Sequence, residues 1–268
     1  MSEDRGRQPG ARAGRWLGRA GRAGFAARGT VYLLVGSLAL RIAFGDGGAE
    51  EADRQGALRE VASQPFGRVV LWLLVVGFGG MALWRGSEAL FDRGAKAGSR
   101  VLDAGRAGFY AVSCWATATF AAGAGGAESG DAKSRGWTAT LMGEPGGRYL
   151  VGGAGLVVIG VGVGIAVRGV LRKFLKDLDT AAMSPRTRTA VTAVGVIGTA
   201  ARGLVFTAAG VFVLLAAVHF DPGQAKGVDD TLRSFAATPA GPWLLVLVAV
   251  GLLLFGLFSF AHARWRRL

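Results

Sequence analysis

The sequence predicts an all-α fold: a polytopic membrane bundle of six transmembrane helices, arranged as three tandem two-helix hairpins. Three observations carry this reading. Long apolar runs lie at about residues 24 to 44, 66 to 87, 107 to 127, 149 to 167, 198 to 219 and 243 to 262, charges are confined between them, and one hairpin pattern recurs along the chain. With 51% hydrophobic residues, 45 Gly and a mean hydropathy of +0.38, the chain is too apolar for a soluble domain of 268 residues. The stretches 107–127, 149–167 and 243–261 carry no charge, and each reaches about the 20 residues a helix needs to cross roughly 30 Å of hydrocarbon. Helices rather than strands follow because the runs are continuously apolar and lack the period-two alternation of a membrane barrel.

Residues 1–20 are basic and read as a disordered or interfacial N-terminus. Arg12, Arg15, Arg19 and Arg22 share a helical face beside Trp16 and Leu17, which suits an inner-leaflet anchor or a docking site for an acidic protein. The first hairpin covers 21–92, the second 104–180 and the third 187–265. First and third align without a gap at an offset of 174: Gly24 with Gly198, Val31 with Val205, Gly36 with Gly210 and Gly77 with Gly251. Ala27-Arg28-Gly29 recurs as Ala201-Arg202-Gly203, which argues that the first run is a permanent helix and not a cleaved signal. The middle copy keeps Gly108 and Ala111 but places Val112 where the others have arginine.

Each hairpin carries an elbow of apolar-x-x-apolar-x-x-x-Pro-x-Gly form. Leu58, Val61, Pro65 and Gly67 match Leu232, Phe235, Pro239 and Gly241, while Thr138, Leu141, Pro145 and Gly147 keep the spacing. Two apolar residues three apart share one side of a short helix lying on the outer membrane surface, and the proline stops that turn and starts the next helix. Such an elbow either turns the chain or gates a ligand. In the fourth run, Gly160 and Gly164 form a small-x-x-x-small step, which allows close packing within the bundle or between two copies. Beyond it, Val170, Leu171, Phe174, Leu175 and Leu178 fall on one helical face, so the fourth helix is expected to continue as an amphipathic extension before Ser184-Pro185 starts the fifth.

The net charge of +13 is distributed by side. Placing the termini and the 2-3 and 4-5 loops together collects 22 Lys+Arg and 7 Asp+Glu there, against 9 and 11 on the opposite side. That is the positive-inside pattern for cytoplasmic N- and C-termini in a bacterial inner (plasma) membrane. It removes any need for a nucleic-acid partner and makes anionic lipid at the cytoplasmic face the simplest one. A membrane-protein partner or a second copy of the chain stays open.

The repeated Ala-Arg-Gly opening, the elbow Leu58-Arg59 to Pro65-Phe66-Gly67 and the segment from Arg172 to Asp179 resemble the bacterial integral membrane family catalogued as domain of unknown function 1206. The resemblance covers about residues 20 to 265 and implies three tandem two-helix repeats. It implies no reaction, substrate or catalytic residue.

Among single residues, Arg28 and Arg202 sit in or at the edge of apolar runs, where a charge is costly. About 17 residues, roughly 25 Å of helix, separate each from the outer end of its run, which puts both near the inner boundary. Three roles fit: snorkelling to lipid phosphate, pairing with an acid such as Glu88, or lining a pathway. His219 and His262 fall at opposite ends of their spans and cannot share a metal. The acids Asp46, Glu50, Glu51, Asp53, Asp221, Asp229 and Asp230 read as solvated loop faces without calcium-loop spacing. Cys114 is a lone thiol inside a span and reads as small apolar filler. No phosphate loop, zinc-protease helix or nucleophile elbow occurs, so neither an enzyme, a cofactor nor a metal is expected. Two functions remain: a noncatalytic scaffold or accessory component of the membrane, or a small-solute or ion pathway along the pseudo-threefold axis. The lining of that axis separates them.

Overall fold

The computed structural model describes residues 9–44, 52–64, 66–91, 97–123, 130–236 and 241–266. Pro65 and Pro239 of the expected elbows, and Asp46, Glu50 and Glu51, lie outside the described residues. Three times the chain runs long helix, short helix, long helix: α1 Pro9–Ala43, α2 Arg54–Ser63, α3 Gly67–Phe91, α4 Ala97–Ala121, α5 Gly130–Met142, α6 Gly147–Val170, α7 Pro185–His219, α8 Val228–Ala236 and α9 Gly241–Trp265. Among the described residues there is no strand, only an isolated bridge between Leu178 and Arg266. The helical membrane bundle expected from the sequence is therefore present.

Five of the helices are long and apolar enough to cross a membrane: residues 18–43 of α1, 67–90 of α3, and all of α6, α7 and α9. Among the described residues the six-span count is thus not exact: α4 runs beside α3 as a sixth long helix but is less apolar than the other five. At 25 residues α4 has the length, but Arg100, Asp103 and Arg106 fill its first half while Ser113, Thr117 and Thr119 dilute its second. The N-terminal arginine segment is also not separate from the first span, since α1 is one unbroken helix from Pro9.

Local chemistry explains the starts and stops. Ser184 accepts from the Thr187 N–H and Pro185 occupies the first turn of α7, as the sequence predicts. Asp53 caps α2 by accepting from the Gly56 N–H at 2.8 Å. The expected short helices are α2, α5 and α8, and the long helices after them begin at Gly67, Gly147 and Gly241. At Gly67 and Gly147 a Cβ would run into the carbonyls of Val61 and Leu141, which is why glycine closes the elbow. The residue before each, Phe66 or Gly146, takes a left-handed conformation. One detail differs: α5 buries Thr138 and Met142, and Leu141 is exposed.

The long helices pack in the spatial order α4, α3, α1, α9, α7, α6. Glycines make the contacts close. A Cβ on Gly24 of α1 would sit 2.8 Å from the Gly77 carbonyl of α3, and the equivalent Gly198 of α7 lies against the Phe255 backbone of α9. Gly29 and Gly256 face each other's carbonyls across α1 and α9, at 3.0 Å from either side. These contacts let backbones approach and gain dispersion, the available driving force where lipid is as apolar as leucine. The middle repeat departs here. Its Gly108, equivalent to Gly24, has nothing within 4 Å of a Cβ, and α4 and α6 form no packed interface. The series of helices is thus open between α4 and α6.

Two further expectations change. Of the two readings of Gly160 and Gly164, packing within the bundle is corrected: nothing lies within 4 Å of a Cβ on either, and the packing of α6 on α7 uses Gly155, Gly162 and Gly169 instead. Those three recur every seven residues and share the face that meets α7, whereas Gly160 and Gly164 point away from it. Nor does α6 extend as an amphipathic helix. It ends at Val170, Arg172 is left-handed, and short 3₁₀ turns cover Lys173–Asp177 and Thr180–Ala182. The apolar residues of this segment dock on the bundle: Leu178 is buried, the Asp179 N–H donates to the Trp265 carbonyl, and Phe174 meets Phe258 edge-on at 4.7 Å.

Candidate functional site

Arg28 and Arg202 occupy equivalent positions on α1 and α7, and both turn into the bundle at the end that carries the termini. Arg28 Nε donates to Ser259 Oγ at 3.1 Å, and Arg202 Nε donates to the Tyr32 hydroxyl at 2.7 Å. Their guanidinium carbons lie 5.1 and 5.0 Å from the centroid of the Phe255 ring, which both cations flank. Arg28 also lies over Phe25 and sits beside Tyr110 of α4. Neither arginine lies outward on the lipid-facing surface.

Glu88 is not their partner. It pairs with Arg85 at 2.8 Å, Arg85 also holds Asp103 at 3.0 Å, and Asp103 holds Arg106 at 2.8 Å. Among the described residues no carboxylate pairs with Arg28, Arg168 or Arg202.

These cations converge on a cleft of about 170 Å³, lined by Arg28, Arg106, Arg168, Arg202 and His262, with Asp177 on its wall. Taking a guanidinium out of water costs several kcal/mol, and neutral acceptors and ring faces offset only part of that. The arrangement is suited to receiving an anion. The imidazole of His262 is buried between Phe25 and Phe258, and its Nε2 has no partner. His219, at the other end, contacts Gln224.

Sequence reasoning found Arg28 and Arg202 but missed Tyr32, Tyr110, Arg106 and Arg168, and it singled out His262 without linking it to the arginines. Tyr32 is four residues after Arg28, one turn along the same helix, so a helical-face reading could have found it. Tyr110 has no repeat equivalent that would have drawn attention to it.

At the opposite end the acids also do more than face solvent. Asp53 Oδ2 accepts from the Gly130 N–H of α5, Asp131 Oδ2 accepts from the Asp230 N–H of α8, and Asp229 Oδ1 accepts from the Ala52 N–H just before α2. Each repeat's acid thus holds the start of the next repeat's short helix, and the third returns to the first. All three are buried, which corrects the reading of Asp53 and Asp229 as solvated loop faces. Carboxylate oxygens of Asp131, Asp229 and Asp230 lie within 4.8 Å of one another. Asp229 is already paired with Arg233 and Asp230 with Arg135, each at 2.8 Å. Burial, and then the neighbouring Asp230, push the Asp131 carboxyl up to about 6.

The comparisons with known proteins agree with the repeats. Residues 23–92, 104–172 and 197–266 each match the family described as Domain of Unknown Function (DUF1206). An uncharacterized protein of Bacillus subtilis (strain 168), YxxB, is 30% identical over 265 residues, covering 94% of this chain and 94% of that protein. No solved structure matches the chain.

Proposed function

The chain belongs to the DUF1206 family of three tandem repeats, and from its interior we propose that it is a noncatalytic component of the bacterial inner membrane, a scaffold or accessory protein with cytoplasmic termini. One observation carries the reading: the interior around α1, α3 and α9 is filled with apolar side chains. A single apolar cluster runs from Phe25, Phe78 and Met81 near the arginines to Leu58, Val61 and Leu232 at the elbows. Three hydroxyls in the middle of the long helices are turned onto their own backbones. Ser113, Thr117 and Thr207 donate to the carbonyls of Phe109, Ser113 and Gly203 at 2.6, 2.7 and 2.9 Å. A solute or ion crossing here would meet no polar lining between the arginine cleft and the elbows, which counts against the pathway reading. The charge asymmetry supports cytoplasmic termini.

Reconstitution tests the reading. Proteoliposomes holding the protein and given an imposed gradient of ions or labelled metabolites should show the flux of empty vesicles. Saturable flux that disappears in Arg28→Ala or Arg202→Ala would overturn the scaffold role.

A further inference from the structure

We propose that the arginine cleft is a binding site for the phosphate of an anionic phospholipid, entered sideways through the opening between α4 and α6. The cleft gathers Arg28, Arg106, Arg168 and Arg202 against the carboxylate of Asp177. Asp103 compensates Arg106, while Arg28 and Arg202 are hydrogen-bonded only to hydroxyls. Excess cation held in low dielectric attracts a phosphate more strongly than it would in water, and guanidinium forks match phosphate oxygens. The His262 Nε2 and the Thr199 hydroxyl, both buried without a partner, belong to residues lining the same cleft. A volume of about 170 Å³ accommodates a headgroup phosphate.

The walls indicate where that phosphate comes from. On α4, Phe109 stands one turn from Arg106 toward the elbow end and is exposed. On α6, Ile165 and Val161 stand about one and two turns from Arg168 in the same direction; Val161 is exposed and Ile165 half-buried. Because α4 and α6 do not pack together, these apolar surfaces flank a slot that continues from the charged mouth along the bundle. A cationic mouth leading to apolar walls fits a molecule with a phosphate at one end and acyl chains at the other. A free phosphate would use only the mouth.

This inference rests on the membrane reading above but not on the absence of transport or on sidedness, because binding is measured in detergent. The purified full-length protein in a nonionic detergent would be titrated with phosphatidylglycerol, with phosphatidylcholine of the same chains, and with inorganic phosphate. Native mass spectrometry counts bound lipid, and thermal unfolding reads the accompanying stabilisation. The expected result is one tightly held phosphatidylglycerol, with affinity at least about tenfold above that for phosphatidylcholine. Arg168→Gln, whose exposed side chain makes no hydrogen bond or ion pair among the described residues, and Arg202→Lys should each weaken it by about tenfold. Arg186→Gln, exposed at the start of α7 and away from the cleft, should bind like wild type. Equal binding of both lipids, or wild-type binding by Arg168→Gln, would refute the site. Stabilisation by inorganic phosphate equal to that by phosphatidylglycerol at the same concentration would refute sideways entry by a lipid.

Discussion

Gly160 and Gly162 lie two residues apart on α6, and the structure predicts opposite outcomes when each becomes alanine. At Gly160 a new Cβ meets nothing within 4 Å. The substitution removes a flexible residue from a helix interior and should stabilise by about 0.4–1 kcal/mol. At Gly162 the same Cβ would lie 2.5 Å from both the backbone nitrogen and Oγ1 of Thr207, and 2.8 Å from the Gly203 carbonyl. Two of those atoms are backbone, so α7 itself must move away from α6. Overpacking of this kind costs about 1–3 kcal/mol, and the contacts at Gly155 and Gly169 widen with it. The two variants should therefore differ by about 1.4–4 kcal/mol, a separation in melting temperature on the order of 3–16 °C. Thermal unfolding in a mild detergent, followed by tryptophan fluorescence, measures it. Equal shifts, or a loss of stability in Gly160→Ala, would show that the exposed face of α6 is itself an interface and that the assignment of its packing face is wrong.

Three other perturbations probe different parts of the molecule. Tyr32→Phe removes the acceptor of Arg202 Nε while keeping the ring, and should cost about 1–3 kcal/mol in the same unfolding assay. The raised carboxyl of Asp131 means that the folded chain holds that proton more tightly than the unfolded one, so its contribution to stability is full below 3.8 and is lost as pH rises through about 6. Asp131→Asn should gain on wild type progressively across that window and hold a constant advantage above it, and a pH-independent difference would refute the burial argument. Single cysteines near Gly48 and Gly126 should react with an impermeant maleimide from outside the cell and one near Gly98 only from inside, and the reverse pattern would invert the topology.

The sequence revealed the bundle because hydropathy and the gapless repeat both report on whole helices. It was less informative wherever the answer depended on which way a side chain points. Depth along the chain placed Arg28 and Arg202 near one boundary, but the direction they take around the helix axis, inward to Ser259 and Tyr32, follows from packing with α9 and α1. The glycines of α6 are equally conspicuous at 160 and 162, and only contact with α7 separates them. Segment 172–178 has helical periodicity, yet the left-handed Arg172 turns it onto α9 as 3₁₀ structure. The acids of the elbows looked like loop charge because their partners are backbone amides up to 177 residues away. The missing arginine of the middle repeat was visible, and the structure gives it a context: Val112, in its place, is exposed on a helix that does not close against α6.

That open middle repeat is the feature on which the cleft and its access depend, and cross-linking tests it directly. In a Cys114→Ala background, cysteines at Gly152 and Ala217 on α6 and α7 serve as the reference, since a Cβ at Gly152 lies 3.7 Å from that of Ala217, close to the spacing a disulfide needs. Ala27 and Gly77 mark the closed hairpin of the first repeat, where a Cβ on Gly77 would lie 2.7 Å from that of Ala27, a contact too tight to hold a disulfide. Ala111 and Val157 are the equivalent pair in the middle repeat. On mild oxidation in membranes, the Gly152 and Ala217 pair should form a disulfide and the Ala111 and Val157 pair should not. A disulfide between positions 111 and 157 forming as readily as the reference would mean that the middle hairpin closes, and would contradict the account.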